Sequence, residues 1–353
     1  MNRVTLQDIA THMNISRTTV HRALQGKEGI SEELRQAILA CAAEMGYTAN
    51  YIASSLKRKT IRLAVVLPQR DGSGRYYHKY ICDAIDTFQA DAKSLNVEIV
   101  YSFFKGGKQE QIQILDQLFR NGSSEIHGLL TVPSSSDENL RLAVERFSYI
   151  HIPVVLIDTD LEATQRLCCV APHDHQTGRL GAEMLTLIAQ KPGKILVASG
   201  DPLNAAHTHN LLGFKEYLAE TRQPFTVVSV EGFGDYRHCY QQSLQILQSD
   251  PEVAAFYSVT ARDTIPLAQA VIDSGLQGQL KGVGSDLFPE SAALLRDNVL
   301  QALIYKNAYE KGHAGFEILF QYVVKNVLPK TDRVTVPISI IMKSNLDFFL
   351  NRI

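Results

Sequence analysis

A short stretch near the start, residues 4–22 (VTLQDIATHMNISRTTVHR), constrains the fold of this chain more tightly than any other. Read with a 3.6-residue period, Leu6, Ile9, Ala10 and Met13 form one apolar stripe, and Ile15, Val20, Ala23 and Leu24 form a second. Thr5 followed three residues later by Asp8 has the spacing of a capping box, with Asp in place of Glu. Asn14 falls between the stripes, where its tolerance of left-handed backbone suits a tight turn, and Ser16 is placed to cap the second helix. The polar face of that second helix is Arg17, Thr18, His21 and Arg22. These are donors and small groups that can reach base edges and phosphates in a major groove. The expectation is a helix-turn-helix that reads DNA.

Charge supports a separate head. Residues 1–60 hold eight Lys/Arg against five Asp/Glu, a balance of +3, whereas the remainder holds 27 against 32, a balance of −5. A basic head on an acidic body suits a nucleic-acid module joined to something else. Ser31, with Glu32 and Glu33 after it, opens a third helix at the positive end of its dipole. Leu34, Ala37, Ile38, Cys41, Ala42 and Met45 continue the apolar stripe to a stop at Gly46. At 353 residues, 45% of them hydrophobic, the chain can also build a large core. The five cysteines lack paired spacing and read as buried thiols. There is no apolar signal segment and no run of about 20 apolar residues, so a cytoplasmic protein without membrane contact is expected.

Residues 50–60 read either as a polar linker or as a short helix that forms on DNA, with Leu56 as a minor-groove wedge and residues 57–59 neutralising phosphates. Across the head, VTLQDIA, SRTTVHRAL, GIS, MGYTAN and IASSLK closely resemble the DNA-binding head of the lactose repressor (LacI) family. The resemblance implies a homodimer on a pseudo-palindromic operator in double-stranded DNA. It places Arg17, Thr18 and Arg22 at base-contacting positions and Thr5, Ser16 and Ser31 at backbone-contacting ones. Leu56 falls on the inserting leucine, expected to kink a central CG step. His21 stands where many members carry Ser. Leu6, Asn50, Ala53 and Lys57 complete the expected DNA-contacting set.

From Arg62 the pattern changes to short β-rich runs alternating with longer helical stretches. Strands are expected at 63–67, 97–103, 126–131, 154–157, 167–171, 195–199, 226–230, 254–257, 280–283 and 300–305, and again at 335–342. Helices are expected at 79–95, 177–190, 236–248 and 264–274. Alternation of this kind reads as parallel sheets covered on both faces, and roughly ten strands divide more comfortably into two sheets facing a cleft. Ligands bind such folds at the carboxyl ends of the strands.

The body resembles the same family's effector domain, which has the type I periplasmic binding protein fold, through IPVVLIDTDL, HDHQTGRLGAEML, Gly213-Phe214, KGVGSD and ALIYKNAYEKG. The expected architecture is an all-α head (1–49), a hinge (50–60) and an α/β body (61–353) of two doubly wound parallel-sheet subdomains. The chain is expected to cross between them three times, giving 61–171 with 305–331, and 172–304 with 332–353. Tyr76 and Tyr77 follow the first strand, where the fold presents aromatics to a sugar face, although partly buried loop aromatics read the same way. Asp158 and Asp286 end strands at positions where relatives bind sugar hydroxyls, and a carboxylate can accept from two adjacent hydroxyls. Thr208 replaces a frequent Arg, Thr260 and Arg262 occupy a region where relatives carry Asn, and Lys306 replaces a common Gln. A buried Lys306 favours an anionic ligand, with Arg262 assisting, unless it pairs with an Asp already in the site. The effector is therefore a small neutral sugar, polyol, sugar acid or sugar phosphate.

His173, His175, His207 and His209 have no Cys or Glu at a recognised ligand interval, and no metal is expected. Gly72-Ser-Gly74 lacks the third glycine of a dinucleotide loop, a Gly-x-Ser-x-Gly elbow is absent, and no cofactor is expected. The expected function is a ligand-controlled transcription regulator, in this family most often a repressor, of carbohydrate-utilisation genes. The competing reading is a sugar-metabolising α/β enzyme with an appended DNA-binding head, which lacks any catalytic motif. No leucine heptads follow the last strand, so a dimer rather than a tetramer is expected.

Overall fold

The computed structural model describes residues 4–24, 28–45, 47, 59–105, 107–123 and 125–351. The head consists of α1 (Leu6–His12), α2 (Arg17–Leu24) and α3 (Glu32–Glu44). Each start is chemically marked. Thr5 and Asp8 form the reciprocal capping box, with Asp8 N donating to Thr5 Oγ1 at 3.3 Å and Thr5 N to Asp8 Oδ2 at 2.7 Å. Ser16 accepts from Thr19 N at 3.0 Å, and Ser31 from Leu34 N at 3.3 Å. Asn14 takes the left-handed turn conformation, φ +52°. Ile9, Ala10, Val20, Ala23, Ile38, Cys41 and Ala42 close one small core, so all three stripes meet. Leu56, Lys57, Asn50 and Ala53 lie outside the described residues.

The body contains two six-stranded sheets. The first is ordered β11-β5-β4-β3-β1-β2 and the second β12-β10-β9-β8-β6-β7. In sequence these are β1 (Ile61–Pro68), β2 (Val97–Phe104), β3 (Ile126–Thr131), β4 (Val154–Ile157), β5 (Cys168–Ala171), β6 (Gly193–Gly200), β7 (Phe225–Glu231), β8 (Val253–Ser258), β9 (Lys281–Ser285), β10 (Ala302–Tyr305), β11 (Arg333–Thr335) and β12 (Ser339–Ile341). Ten of the twelve are the strands expected from composition, and they pair in parallel as continuous apolar runs buried on both faces require. The antiparallel pair is β10 with β12.

The two sheets repeat one winding. In each, the first strand lies inside its successor and the chain then steps outward on the other side, so β4 and β9 hold equivalent places. The chain passes between sheets after β5, after β10 and after β11. The last passage departs from expectation. Residues 333–335 pair with Cys169–Ala171 in the first sheet, so this passage follows Thr335 instead of residue 331. The single strand expected at 335–342 is correspondingly divided, because Pro337 has no N–H to give a ladder and the chain changes sheets there. Tyr305 likewise belongs to β10 of the second sheet, not to the first subdomain.

The helix expected at 79–95 is two, His78–Asp86 and Gln89–Ser94. Thr87 Oγ1 donates back to the Ala84 carbonyl at 2.6 Å, and Phe88 turns onto Phe316 with ring centroids 5.0 Å apart. The helices Asp174–Ile188 and Ala205–Glu220 approach unusually closely. A Cβ on Gly178 would lie 1.8 Å from the Asn210 carbonyl oxygen, and one on Gly213 2.0 Å from that of His175. This reciprocal contact explains the glycine of the Gly213-Phe214 pair, while Phe214 stacks on Tyr257 at 4.8 Å. All five cysteines are free and buried. Among the described residues no helix is long and apolar enough to cross a membrane.

Candidate functional site

Two surfaces carry candidate chemistry. On the head, Val20 and Ala23 turn α2 inward, which leaves Arg17, Thr18, His21 and Arg22 exposed on the opposite face. Thr5, Ser16 and Ser31 are also exposed and stand at the three helix starts, while Leu6 is half-buried against the head core.

In the body, the carboxyl ends of both sheets line a cleft of about 430 Å³. Tyr77, Asp158, Thr260, Arg262, Asp286 and Lys306 all reach it. Tyr76 and Thr208 do not. Tyr76 packs its ring on Phe288, with centroids 4.7 Å apart, and its hydroxyl accepts from Arg75 at 2.7 Å. Thr208 is exposed on the helix Ala205–Glu220, its hydroxyl bonded back to the Ala205 carbonyl at 3.0 Å. On that helix the cleft is lined instead by Asn204 and His207, one residue back along the turn.

The centre of the cleft is an ordered set of charges. Asp158 follows β4 and Asp286 follows β9, both in the left-handed region at φ +72° and +62°. Each backbone N–H still extends its sheet, to Val170 O at 2.8 Å and to Ile304 O at 3.0 Å. The equivalent strand ends therefore present equivalent carboxylates. Each has its own lysine. Lys306 pairs with Asp286 Oδ2 at 3.2 Å and donates to Val259 O at 3.0 Å, while its backbone N donates to Asp286 Oδ1 at 3.0 Å. Lys311, absent from the sequence-based site, is fully buried and donates to Asp158 Oδ1 at 2.6 Å and to the Tyr77 hydroxyl. Tyr77 in turn donates to Asp158 Oδ1 at 2.6 Å, and its ring lies beneath both ammonium groups, 5.6 Å from Lys306 and 4.6 Å from Lys311. Lys306 thus follows the second of the two readings left open above: it is paired with a carboxylate of the site.

Burial and these contacts pull against each other at Asp158 and Lys306. Burial pushes the Asp158 carboxyl up, but Lys311, Lys306 and the Tyr77 hydroxyl hold it well below the usual carboxylate range. Burial pushes the Lys306 ammonium down, and Asp286 and Asp158 more than reverse it. His78 is lowered to about 4 and His207 to about 3, each chiefly by burial, with Arg262 nearby adding to both. Asp174 is raised to about 7 by burial and by Asp158.

Two further features shape the cleft. Phe233, flanked by Gly232 and Gly234, is 54% exposed at the lining with φ +48°. Arg75, in the 3-10 turn after β1, bridges to Glu290 of the other subdomain at 2.9 Å, and Ser136 accepts from Ala205 N at 3.2 Å. Of the remaining histidines, His173 caps its helix through Gln176 N, and His175 meets Glu216 at 2.6 Å. Among the described residues no group of three His, Cys, Asp or Glu side chains could hold a metal ion. Lys311 carried one sequence signal: it lies on the apolar stripe Ala308, Gly312, Gly315, Phe316, Leu319, where a lysine needs a buried partner.

Comparison with known proteins places both units. Residues 65–326 match the family described as Periplasmic binding protein domain, and residues 5–50 match Bacterial regulatory proteins, lacI family. The Ribose operon repressor of Bacillus subtilis is 23% identical over 93% of this chain and 94% of its own length. Catabolite control protein A of Streptococcus mutans is 24% identical over 86% of this chain and 83% of its own. Among solved structures, an Agrobacterium vitis solute binding protein bound to α-D-tagatopyranose superposes with a TM-score of 0.73 at 18% identity, covering 83% of this chain and 98% of that one, a likeness of fold. The chain belongs, through its body, to the family of periplasmic binding protein domains, and its helix-turn-helix head is a LacI-family DNA-binding domain of bacterial regulatory proteins.

Proposed function

We propose that this protein is a sugar-responsive, DNA-binding transcription repressor that works as a cytoplasmic homodimer and not as an enzyme. One observation carries the reading: a capped recognition helix exposes Arg17, Thr18, His21 and Arg22 in a chain whose other unit holds a polar, strand-end cleft. In this reading Arg17, Thr18 and Arg22 contact bases, Thr5, Ser16 and Ser31 contact the backbone, His21 and Leu6 complete the DNA-contacting set of the head, and Asn50, Ala53, Leu56 and Lys57 act at the hinge. Tyr77, Asp158, Thr260, Arg262, Asp286 and Lys306 meet the effector. Relatives named as repressors of the ribose and lactose operons support a sugar-like effector and an operator target. Effector binding is coupled to operator affinity through a difference in free energy between two states of the protein.

Footprinting on DNA upstream of the protein's own gene tests this. A protected pseudo-palindrome is expected, weakened by about 1–3 kcal/mol in Arg22→Ala and lost in large part in Leu56→Ala. Binding that ignores sequence and is unchanged by Arg22→Ala sinks the proposal.

A further inference from the structure

We infer that the cleft takes a polyhydroxylated ligand carrying one anionic group, a carboxylate or a phosphate, which docks on Arg262. This rests on the reading of the cleft as a sugar site and adds the chemical class of its ligand.

The argument begins with which cleft cations are already satisfied. Lys306 is neutralised by Asp286 and also holds the Val259 carbonyl. Lys311 is neutralised by Asp158. Lys105, at the rim, is exposed to water. Arg262 is different. It lines the cleft and is half-buried, yet its guanidinium makes no ion pair or hydrogen bond among the described residues, and its Nε is shielded from solvent without a partner. A guanidinium presents donors in a planar fork that matches a carboxylate or phosphate, and shielding it without an acceptor is costly.

The surroundings leave room for that fork. A Cβ on Gly234 would lie 2.5 Å from Arg262 Nη1, so the glycine makes room for the group. The adjacent Asp263 turns Oδ2 to the Thr260 hydroxyl at 2.9 Å, while its Oδ1 is shielded from solvent and makes no hydrogen bond to Arg262 or to any other described residue. Burial also pushes its carboxyl up, against the influence of Arg262, which weakens it as a counter-ion. Arg262 stands in the first turn of the helix Ala261–Asp273, whose positive end adds to the same field. His207 supplies a further donor at the lining: its Nδ1 accepts from Asp201 N at 3.0 Å, which assigns the ring proton to Nε2. The second Asp158 oxygen and the hydroxyls of Ser134 and Thr159 are suited to the neutral part of such a ligand.

Thermal shift followed by calorimetry on the full chain decides the matter, using D-glucose and D-ribose, then D-gluconate and D-glucuronate, then glucose 6-phosphate and ribose 5-phosphate. At least one acid or phosphate should bind roughly tenfold to a hundredfold more tightly than its neutral parent. Arg262→Gln should erase that preference while Arg262→Lys keeps part of it, and the ligand-free melting curves identify any variant that fails to fold. The two anionic arms separate carboxylate from phosphate. Neutral sugars binding as well as their acids, or anion affinity surviving in a folded Arg262→Gln, overturns the inference and leaves the sugar site standing. Binding by no compound of any class overturns the sugar site as well.

Discussion

The two halves of the body solve one problem with different materials. Each ends its fourth strand in a left-handed aspartate and neutralises it with a lysine, but the lysines arrive by different routes. Lys311 comes from inside a long helix, Ala308–Lys325, and is fully buried, with a phenol completing the set. Lys306 comes from the passage between sheets, retains 9% exposure and takes a backbone carbonyl as its second acceptor. Exposure runs the other way on the carboxylate side: Asp158 is 22% exposed at the cleft lining, whereas Asp286 is only 3% exposed. Removing a lysine leaves its carboxylate behind, and a stranded charge costs more the less water reaches it.

The largest effect should therefore come from the second half. Lys306→Met strands Asp286, which keeps only the Lys306 backbone N–H, and should cost about 3–5 kcal/mol in urea unfolding, most of it recovered in the double variant Asp286→Asn/Lys306→Met. Lys311→Met should cost about 1–3 kcal/mol, because Asp158 keeps the Tyr77 hydroxyl and the field of Lys306 and opens to the cleft. Equal costs would break the distinction between the two carboxylates.

Acid titration sharpens the comparison next. His78 and His207 have folded pKa values near 4 and 3, below the unfolded value, so their stability is present above about pH 6.5 and is lost as pH falls. Asp174, raised to about 7, works the other way: its contribution is lost as pH rises from about 4 to 7. Between pH 4 and 6.5 these groups leave the unfolded chain with about one more bound proton, worth roughly 1.4 kcal/mol per pH unit. Melting temperature should rise with pH across that window, and His207→Gln should flatten the rise. A steep rise surviving in His207→Gln would remove the second half's histidine from the account.

The smallest effect is expected where the halves meet at the surface. Arg75 and Glu290 are both substantially exposed, so Glu290→Gln should change stability by no more than about 0.5 kcal/mol. A larger loss in the same urea series would mean that this bridge, and not the central network, joins the halves.

Much of this was readable in the chain. The head followed from stripes and caps because both act within four residues, and Thr5–Asp8, Ser16–Thr19 and Ser31–Leu34 all close as local chemistry requires. The α/β alternation foretold a cleft at the strand ends, and the resemblance to the effector domain singled out Asp158, Asp286, Arg262, Thr260, Lys306 and Tyr77, which line it. Tyr76 and Thr208 failed because adjacent residues on a turn or helix face different ways, and only packing selects which one points inward. Thr87 and Pro337 show local chemistry cutting elements that periodicity alone had joined.

By itself, then, the sequence determined the elements, their order, the two-unit organisation and the family, since these are carried by periodicity, caps and motifs of short range. The tertiary structure decided which lysine serves which carboxylate and which cation is left over. Asp158 and Lys311 are 153 residues apart, and their pairing depends on the helix Ala308–Lys325 packing on the first sheet. Electrostatic partnership in a low-dielectric cleft is set by distance and burial, and neither is encoded in spacing along the chain.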